Sequence, residues 1–380
     1  MKTVKGTPTG HFKSIIGIAS AKGKPFYARA DRIFVGATQG LNTLGYIGMV
    51  LSGSGGGMFQ PDGITNADIS QIRDDDILCL SEDGTISVVW ETESSQNAFF
   101  LTEACDCRCL MCPQPPKLHD PKTFAEAERI LSLLAGRRLE TICITGGEPT
   151  LLGDGFLSFL RRCGTEHPEA QINVLTNGKR FADIDFAKAV SEVASPKTFF
   201  CVSLHGDIPS LHDRIVGSAG SFEATEEGIY NMARWGLKIE MRHVVTRLNF
   251  SRLPHFARHV YDYFPFCSHY AIMAMEIHGC AVVNMDEIGI DPSGYRRELA
   301  EAVLEMDRRG LPVSIYNVPL CLCDEKIRCF ARQSISAWKN IYLPQCKECS
   351  QREKCAGFFS TSSVLPVEHI HPITEGGEKV

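Results

Sequence analysis

Residues 102–116 read "TEACDCRCLMCPQPP", four cysteines within eight residues ahead of a proline-rich turn. The useful spacing inside it is C-x-x-x-C-x-x-C, formed by Cys105, Cys109 and Cys112. Four thiolates close a structural zinc or iron–sulfur site, whereas three on a four-iron cluster leave one iron open to bind something else. Cys107 is the spare thiol. A four-thiolate zinc loop that includes it is the alternative, although its short arms fit poorly around one tetrahedral ion.

The rest of the composition sets bounds on that reading. The chain has 380 residues, 44% hydrophobic and 22% charged, as expected of a soluble globular protein with one large domain and smaller ones beside it. A net charge of -6 without a basic run argues against nucleic acid as the main partner. The opening "MKTVKGTPTGHFK" lacks the apolar core of a secretory signal, and "LNTLGYIGMVLSGSGGGM" is too short in apolar residues to span a bilayer. The expectation is a cytoplasmic protein with no membrane partner. Sixteen cysteines are many for a reducing compartment, and ten of them crowd into 105–112 and 321–355. Clustered thiols of this kind read as metal or iron–sulfur ligands. Cys79, Cys143, Cys163 and Cys201 sit in or beside apolar runs and read as inert packing.

Working outward from the cysteine loop, residues 1–98 are a β-rich domain of short β-branched and aromatic runs. "SEDGTI" is its clearest hairpin turn, since Asp-Gly tolerates positive φ. "SGSGGGM" at 52–58 reads as a flexible loop. From 122 the pattern alternates helices such as "KTFAEAERILSLLAG" with strands such as "LETICIT", "QINVLT", "KTFFCVSL", "LKIEMRHVV" and "HYAIMAME". That alternation predicts βαβ crossovers and a parallel sheet, and about six units suit a partial barrel over 99–317. Functional residues then belong at the carboxyl ends of the strands. Residues 318–380 form a small cysteine-rich domain and tail, with little periodicity and a need for a metal centre to stay folded.

The turn "ITGGEPTLL", 144–152, closes the first full strand. Two glycines let the backbone approach a ligand closely, and Glu148 can accept a hydrogen bond from an ammonium group. With the cysteine spacing before it, the chain resembles the radical S-adenosylmethionine (SAM) superfamily. The resemblance implies a partial (β/α)6 barrel in an α/β protein, with a 4Fe–4S cluster on Cys105, Cys109 and Cys112. The cluster's open iron would chelate SAM. It places SAM contacts on Gly146, Gly147, Glu148 and Pro149, on Thr176 and Asn177 of "LTNG", and on Ser203 of "SLHG". His205 is on this reading either a contact to the SAM ribose or substrate or a hydrogen-bonded structural residue, and Met111 stands where an aromatic residue commonly packs near the adenine. Arg214 is the expected partner of the SAM carboxylate, ahead of Arg242, because an arginine pairs with a carboxylate in bidentate fashion. The activity implied is reductive cleavage of SAM to a 5′-deoxyadenosyl radical that abstracts hydrogen from substrate, fed by a low-potential electron donor of flavodoxin or ferredoxin type.

The segment 318–359 holds Cys321, Cys323, Cys329, Cys346, Cys349 and Cys355 and ends in "CAGFF". It is similar to the SPASM and twitch auxiliary-cluster domains, which implies a second 4Fe–4S cluster on Cys346, Cys349, Cys355 and an upstream thiol, with Cys321 preferred. A zinc knuckle is the bland alternative. "LMCPQPPK", "SISAWKNIYLPQC" and "CAGFF" together resemble the radical SAM maturase of the His-Xaa-Ser peptide systems. That narrower resemblance implies a ribosomally made precursor peptide as substrate and a second radical SAM protein as partner. The rival readings are a small-molecule radical SAM enzyme of cofactor biosynthesis and a zinc-stabilised binding module.

Overall fold

The computed structural model describes residues 2–37, 43–54, 61–118, 120–333, 340–359, 361 and 369–374. Most of the glycine loop expected at 52–58, and residues 334–339 of "SISAWKNIYLPQC", lie outside the described residues. The chain divides into two compact units. One comprises 1–100 with 121–143 and 165–170; the other comprises 101–120, 144–164 and 171–380.

The first unit carries β1 (Lys2–Lys5), β2 (Thr7–Thr9), β3 (Ser14–Ser20), β4 (Arg32–Gly36), β5 (Gly48–Leu51), β6 (Gly63–Thr65), β7 (Ile77–Ser81), β8 (Thr85–Trp90) and β9 (Ala98–Phe100). The first eight form one sheet in the order β1-β8-β7-β3-β4-β5-β6-β2. Its two outer strands are consecutive in sequence, so one run of chain pairs with β8 at one end of the sheet and with β6 at the other. Gly6 makes the corner. A Cβ there would lie 2.5 Å from Ile64 and 2.6 Å from the Thr65 carbonyl, so only glycine lets one strand swing between two partners. Strands β4 and β8 alternate buried and half-buried residues. Ile33, Val35, Val50, Ile64, Leu78 and Ile86 meet in the interior. The expected hairpin is present as the antiparallel pair β7–β8, with Gly84 at φ +79°. Helix α1 (Pro121–Leu133) belongs to this unit, and its Arg129 pairs with Asp31 at 2.7 Å.

Strand β10 (Thr141–Thr145) leads into the alternating region, followed by α2 (Asp154–Glu166), β11 (Gln171–Thr176), α3 (Ile184–Val193) and β12 (Thr198–Ser203). Next come α4 (Pro209–Val216), α5 (Ser221–Arg234), β13 (Lys238–Val245), α6 (Leu253–Tyr263) and β14 (His269–Ala274). Two short helices, α7 (Cys280–Val283) and α8 (Met285–Ile288), precede α9 (Arg296–Arg308), β15 (Val313–Tyr316) and β16 (Ala331–Arg332). Successive strands from β11 to β16 pair in parallel, in chain order. This is the partial α/β barrel that the periodicity predicts. Each crossover helix turns one apolar stripe to the sheet; α2 buries Phe156, Phe159, Leu160 and Cys163. Beyond β15 the described chain runs mainly in short 3-10 turns. No helix among the described residues is long and apolar enough to cross a membrane.

A polar bridge ties three neighbouring strands. Glu240 on β13 accepts from Arg242 Nε at 2.6 Å and pairs with His269 Nδ1 on β14 at 3.0 Å, while His269 Nε2 meets Ser314 Oγ on β15 at 3.0 Å. Burial opposes ionisation of Glu240, yet the His269 hydrogen bond and the Arg242 charge hold its carboxyl down at about 2, against an ordinary 4.5. A depressed carboxyl stabilises the fold above its unfolded value, and that contribution drains away as pH falls from 4.5 through about 2. Glu240→Gln should therefore cost on the order of 2–3 kcal/mol at pH 7. Most of that difference should vanish at the acid end of the window. Denaturant unfolding of both proteins at pH 7 and pH 3 checks this, and an equal deficit at both would contradict it.

Candidate active site

The loop of 102–116 is held by backbone contacts from three places in the second unit. Gly147 N donates to Thr102 O at 2.6 Å and Glu148 N to Ala104 O at 2.8 Å. Arg108 N and Leu110 N donate to Val216 O and Ile215 O at the end of α4, and Cys280 N at the start of α7 donates to Cys112 O. The approach at the glycine turn is closest. A Cβ on Gly147 would stand 2.2 Å from Ala104 O, where no side chain fits.

These contacts bring Cys105, Cys107, Cys109 and Cys112 to one wall of a cavity of about 270 Å³. Gly146, Gly147, Glu148, Thr176, Asn177 and Ser203 also line it, at the carboxyl ends of β10, β11 and β12. The sequence-chosen residues at these positions therefore share one site. Among the described residues, no three His, Cys, Asp or Glu side chains converge as a single-ion site. Sulfur donors grouped beside a glycine-walled cavity suit a polynuclear iron–sulfur cluster with room for a ligand next to it. The donor set fits that group.

Cys107 does not turn away from this wall. Its thiol lies between those of Cys105 and Cys109, with Asn177 Nδ2 at 3.5 Å, Lys179 Nζ at 3.9 Å and Ser221 Oγ at 4.0 Å. Hydrogen bonds from Cys105 and Cys109, with help from the Lys179 charge, draw the Cys107 thiol well below its ordinary value. The same hydrogen bonds, with burial, push Cys105 and Cys109 up. Burial also raises Cys112.

Glu148 is 1% exposed and heavily engaged by the protein itself. Its Oε1 accepts from Thr150 N, Thr150 Oγ1 and Thr176 Oγ1 at 3.1, 2.6 and 2.8 Å, and its Oε2 accepts from Asn177 N at 2.7 Å. Burial raises its carboxyl against these bonds, which favour the ionised form. The carboxylate thus ties the turn after β10 to the turn after β11, and only Oε2 keeps capacity for a further donor. Pro149 is buried at the start of the short 3-10 turn that follows and does not line the cavity.

Three further residues weighed from the sequence lie elsewhere. Arg214 is on the exposed side of α4, where its guanidinium pairs with Glu287 at 2.8 Å. Helical phase decides this, because Ile215 and Val216 take the buried face. Arg242 pairs with Glu240 and does not line the cavity either. Met111 packs with Ile215, Ala281 and Ile288 and anchors the loop instead of lining the cavity. Sequence reading passed over Lys179, His212 and Ser221, which do line it. Lys179 follows "LTNG" directly and is the lining cation among the described residues, with Asp106 Oδ2 at 2.8 Å. Its place beside a motif was an available signal; His212 and Ser221 carried none.

The far cysteines also separate. Cys321, Cys346, Cys349 and Cys355 line a second, small cavity of about 20 Å³ together with Tyr342 and His371. Cys323 is fully buried outside it, and Cys329 is exposed. Ile370 and Pro372 also line this cavity, and Ser350 N and Oγ both donate to Ile373 O at 2.8 Å.

Gly147→Ala should be unable to keep the cysteine loop in place, since the added methyl meets a backbone carbonyl. The expected loss is about 1–3 kcal/mol, typical of forced overpacking. Denaturant unfolding and thiol-alkylation rates at Cys105 and Cys109 measure it; unchanged stability and unchanged rates would contradict it.

Residues 99–260 match the radical SAM superfamily. Among solved structures, the chain is similar to Streptococcus suis SuiB bound to S-adenosylmethionine, at 18% identity and TM-score 0.47, over 57% of this chain and 49% of that one. It is similar to a radical SAM methyltransferase from Sphaerobacter thermophilus, at 16% identity and TM-score 0.44, over 63% and 72%. A third similar structure is anSMEcpe with bound AdoMet and Cp18Cys peptide, at 18% identity and TM-score 0.43, over 57% and 62%. The chain spans about half the length of SuiB. No curated protein matches it. Residues 99–260 thus read as a radical SAM superfamily domain.

Proposed function

We infer that the protein is a radical SAM maturase that modifies a ribosomally made precursor peptide of the His-Xaa-Ser type by hydrogen abstraction. The observation that carries the radical SAM chemistry is one shared cavity wall: Cys105, Cys109 and Cys112 beside the Gly146–Glu148 turn and the polar ends of β11 and β12. Cys105, Cys109 and Cys112 would hold the cluster. Bound together, cluster and SAM supply one-electron cleavage of the sulfonium carbon–sulfur bond and hydrogen abstraction from substrate. Around them the chain orients and shields. The Gly146–Gly147 backbone and Glu148 Oε2 would meet the ammonium group, and Lys179 takes the carboxylate role first expected of Arg214. Thr176, Asn177 and Ser203 would complete the polar lining.

The peptide substrate rests on the resemblance of "LMCPQPPK" and "CAGFF" to the His-Xaa-Ser maturases. A cytoplasmic location, a flavodoxin- or ferredoxin-type donor and a second radical SAM protein as partner belong to the same reading. We assign 318–380 to an auxiliary-cluster domain and Cys321, Cys346, Cys349 and Cys355 to its 4Fe–4S cluster. Their common cavity supports that set over one using Cys323 or Cys329. Four thiolates would close the cluster, which favours a role in taking an electron over a role in binding substrate.

Replacing Cys105, Cys109 and Cys112 together with Ala should abolish dithionite-driven SAM cleavage and leave about half the iron, held in the second cluster. Persistent deoxyadenosine formation by that variant would refute the assignment. The Cys346, Cys349, Cys355 triple Ala variant should still cleave SAM yet yield no modified peptide. Wild-type protein should contain roughly eight irons. About four irons with one zinc per chain would instead leave the far segment as a structural knuckle.

A further inference from the structure

Two imidazoles line the SAM cavity, and the backbone dictates which nitrogen of each carries the proton. His205 N donates to His212 Nδ1 at 3.1 Å, and Val244 N donates to His205 Nδ1 at 3.2 Å. A backbone N–H can only donate, so both Nδ1 atoms must be bare acceptors and both rings must be protonated at Nε2. The rings stack with centroids 6.1 Å apart and are 4% and 2% exposed. Among the described residues neither Nε2 has a protein hydrogen-bond partner, and neither is among the buried polar atoms left unpaired. The adjacent His243 is the opposite case. Its Nδ1 lies 2.9 Å from Leu204 O and must donate, which leaves a bare, buried Nε2 away from the cavity lining.

We propose that His212, a helix residue outside the glycine and strand-end motifs, is a binding residue that presents an uncharged Nε2–H donor to the nucleoside half of SAM. His205 N–H fixes its tautomer. Charge selects that half. The methionine half carries an ammonium and a carboxylate, for which the cavity holds Glu148 and Lys179. The sulfonium that joins the two halves would be repelled by an imidazolium. Burial keeps both rings neutral, drawing His212 down to about 4 and His205 well below its ordinary value. A neutral donor matches an uncharged acceptor, and the ribose hydroxyls and adenine ring nitrogens are the uncharged acceptors of SAM.

The inference rests on the assignment of this cavity to SAM. His212→Asn tests it, because the amide oxygen can replace Nδ1 as acceptor from His205 N while the Nε2–H is lost. With anaerobically reconstituted protein, the variant should bind SAM and 5′-deoxyadenosine about tenfold more weakly, the size of one lost hydrogen bond. Methionine binding should be unchanged. Nitrogen-15 NMR of the iron-free wild-type protein at pH 7 should show neutral Nε2–H tautomers for His205 and His212, and unfolding should show the variant folded. His212→Gln, with an amide N–H near the lost Nε2, serves as a second variant and should recover part of the SAM affinity. Equal weakening for methionine, unchanged binding of all three compounds, or an Nδ1–H or charged His212 would each overturn the proposal alone. Wild-type protein that binds no SAM would overturn the cavity assignment as well.

Discussion

The absence of a side chain at Gly147 is the constraint on which the site depends. With Ala104 O standing 2.2 Å from where a Cβ would be, the cysteine loop and the turn after β10 meet backbone to backbone. Two short hydrogen bonds, Gly147 N to Thr102 O and Glu148 N to Ala104 O, then set the loop's position against the barrel. The thiols lie beside the glycine turn because the chain there is little thicker than its own peptide groups. The end of α4 and the start of α7 hold the loop's other half through Ile215, Val216 and Cys280, and Met111 fills the apolar space beneath.

Glu148 extends that constraint to the next strand. A carboxylate buried to 1% exposure is stable only if its oxygens are satisfied. Thr150, Thr176 and Asn177 satisfy them. The cost of leaving any of these groups unpaired keeps two successive strand ends in register around the cavity. The histidines work in the same way one strand further on. Backbone amides after β12 and within β13 select ring tautomers, so secondary structure decides the hydrogen-bonding character of the cavity wall.

The other parts of the chain stabilise themselves by different means. In the first unit a small sheet has one run of chain, Lys2–Thr9, paired with both β8 and β6 on either side of Gly6. Its core is a compact set of Ile, Leu, Val and Ala side chains. The described residues beyond β15 run mainly in short 3-10 turns that bury Leu320, Leu322, Ile327 and Phe359, and a thiol-lined cavity lies among them.

The sequence by itself determined the alternation of strands and helices, the parallel barrel and the placing of motifs at strand ends. Those follow from local periodicity and from glycine and cysteine spacing, which need no knowledge of distant contacts. The hairpin at Gly84 was legible for the same reason. Only the tertiary structure decided which polar residues reach the cavity. Arg214 looked suited to a carboxylate, but helical phase turned it toward Glu287, whereas Lys179 and His212 arrived from a turn and a helix face that no motif marks. Glu148 seemed free for a ligand until three neighbours engaged its carboxylate. The choice of Cys321 over Cys323 and Cys329 was a preference in sequence terms. The fold placed Cys321 with the three downstream thiols because the chain beyond β15 turns back on itself, and spacing along a sequence carries no record of such returns.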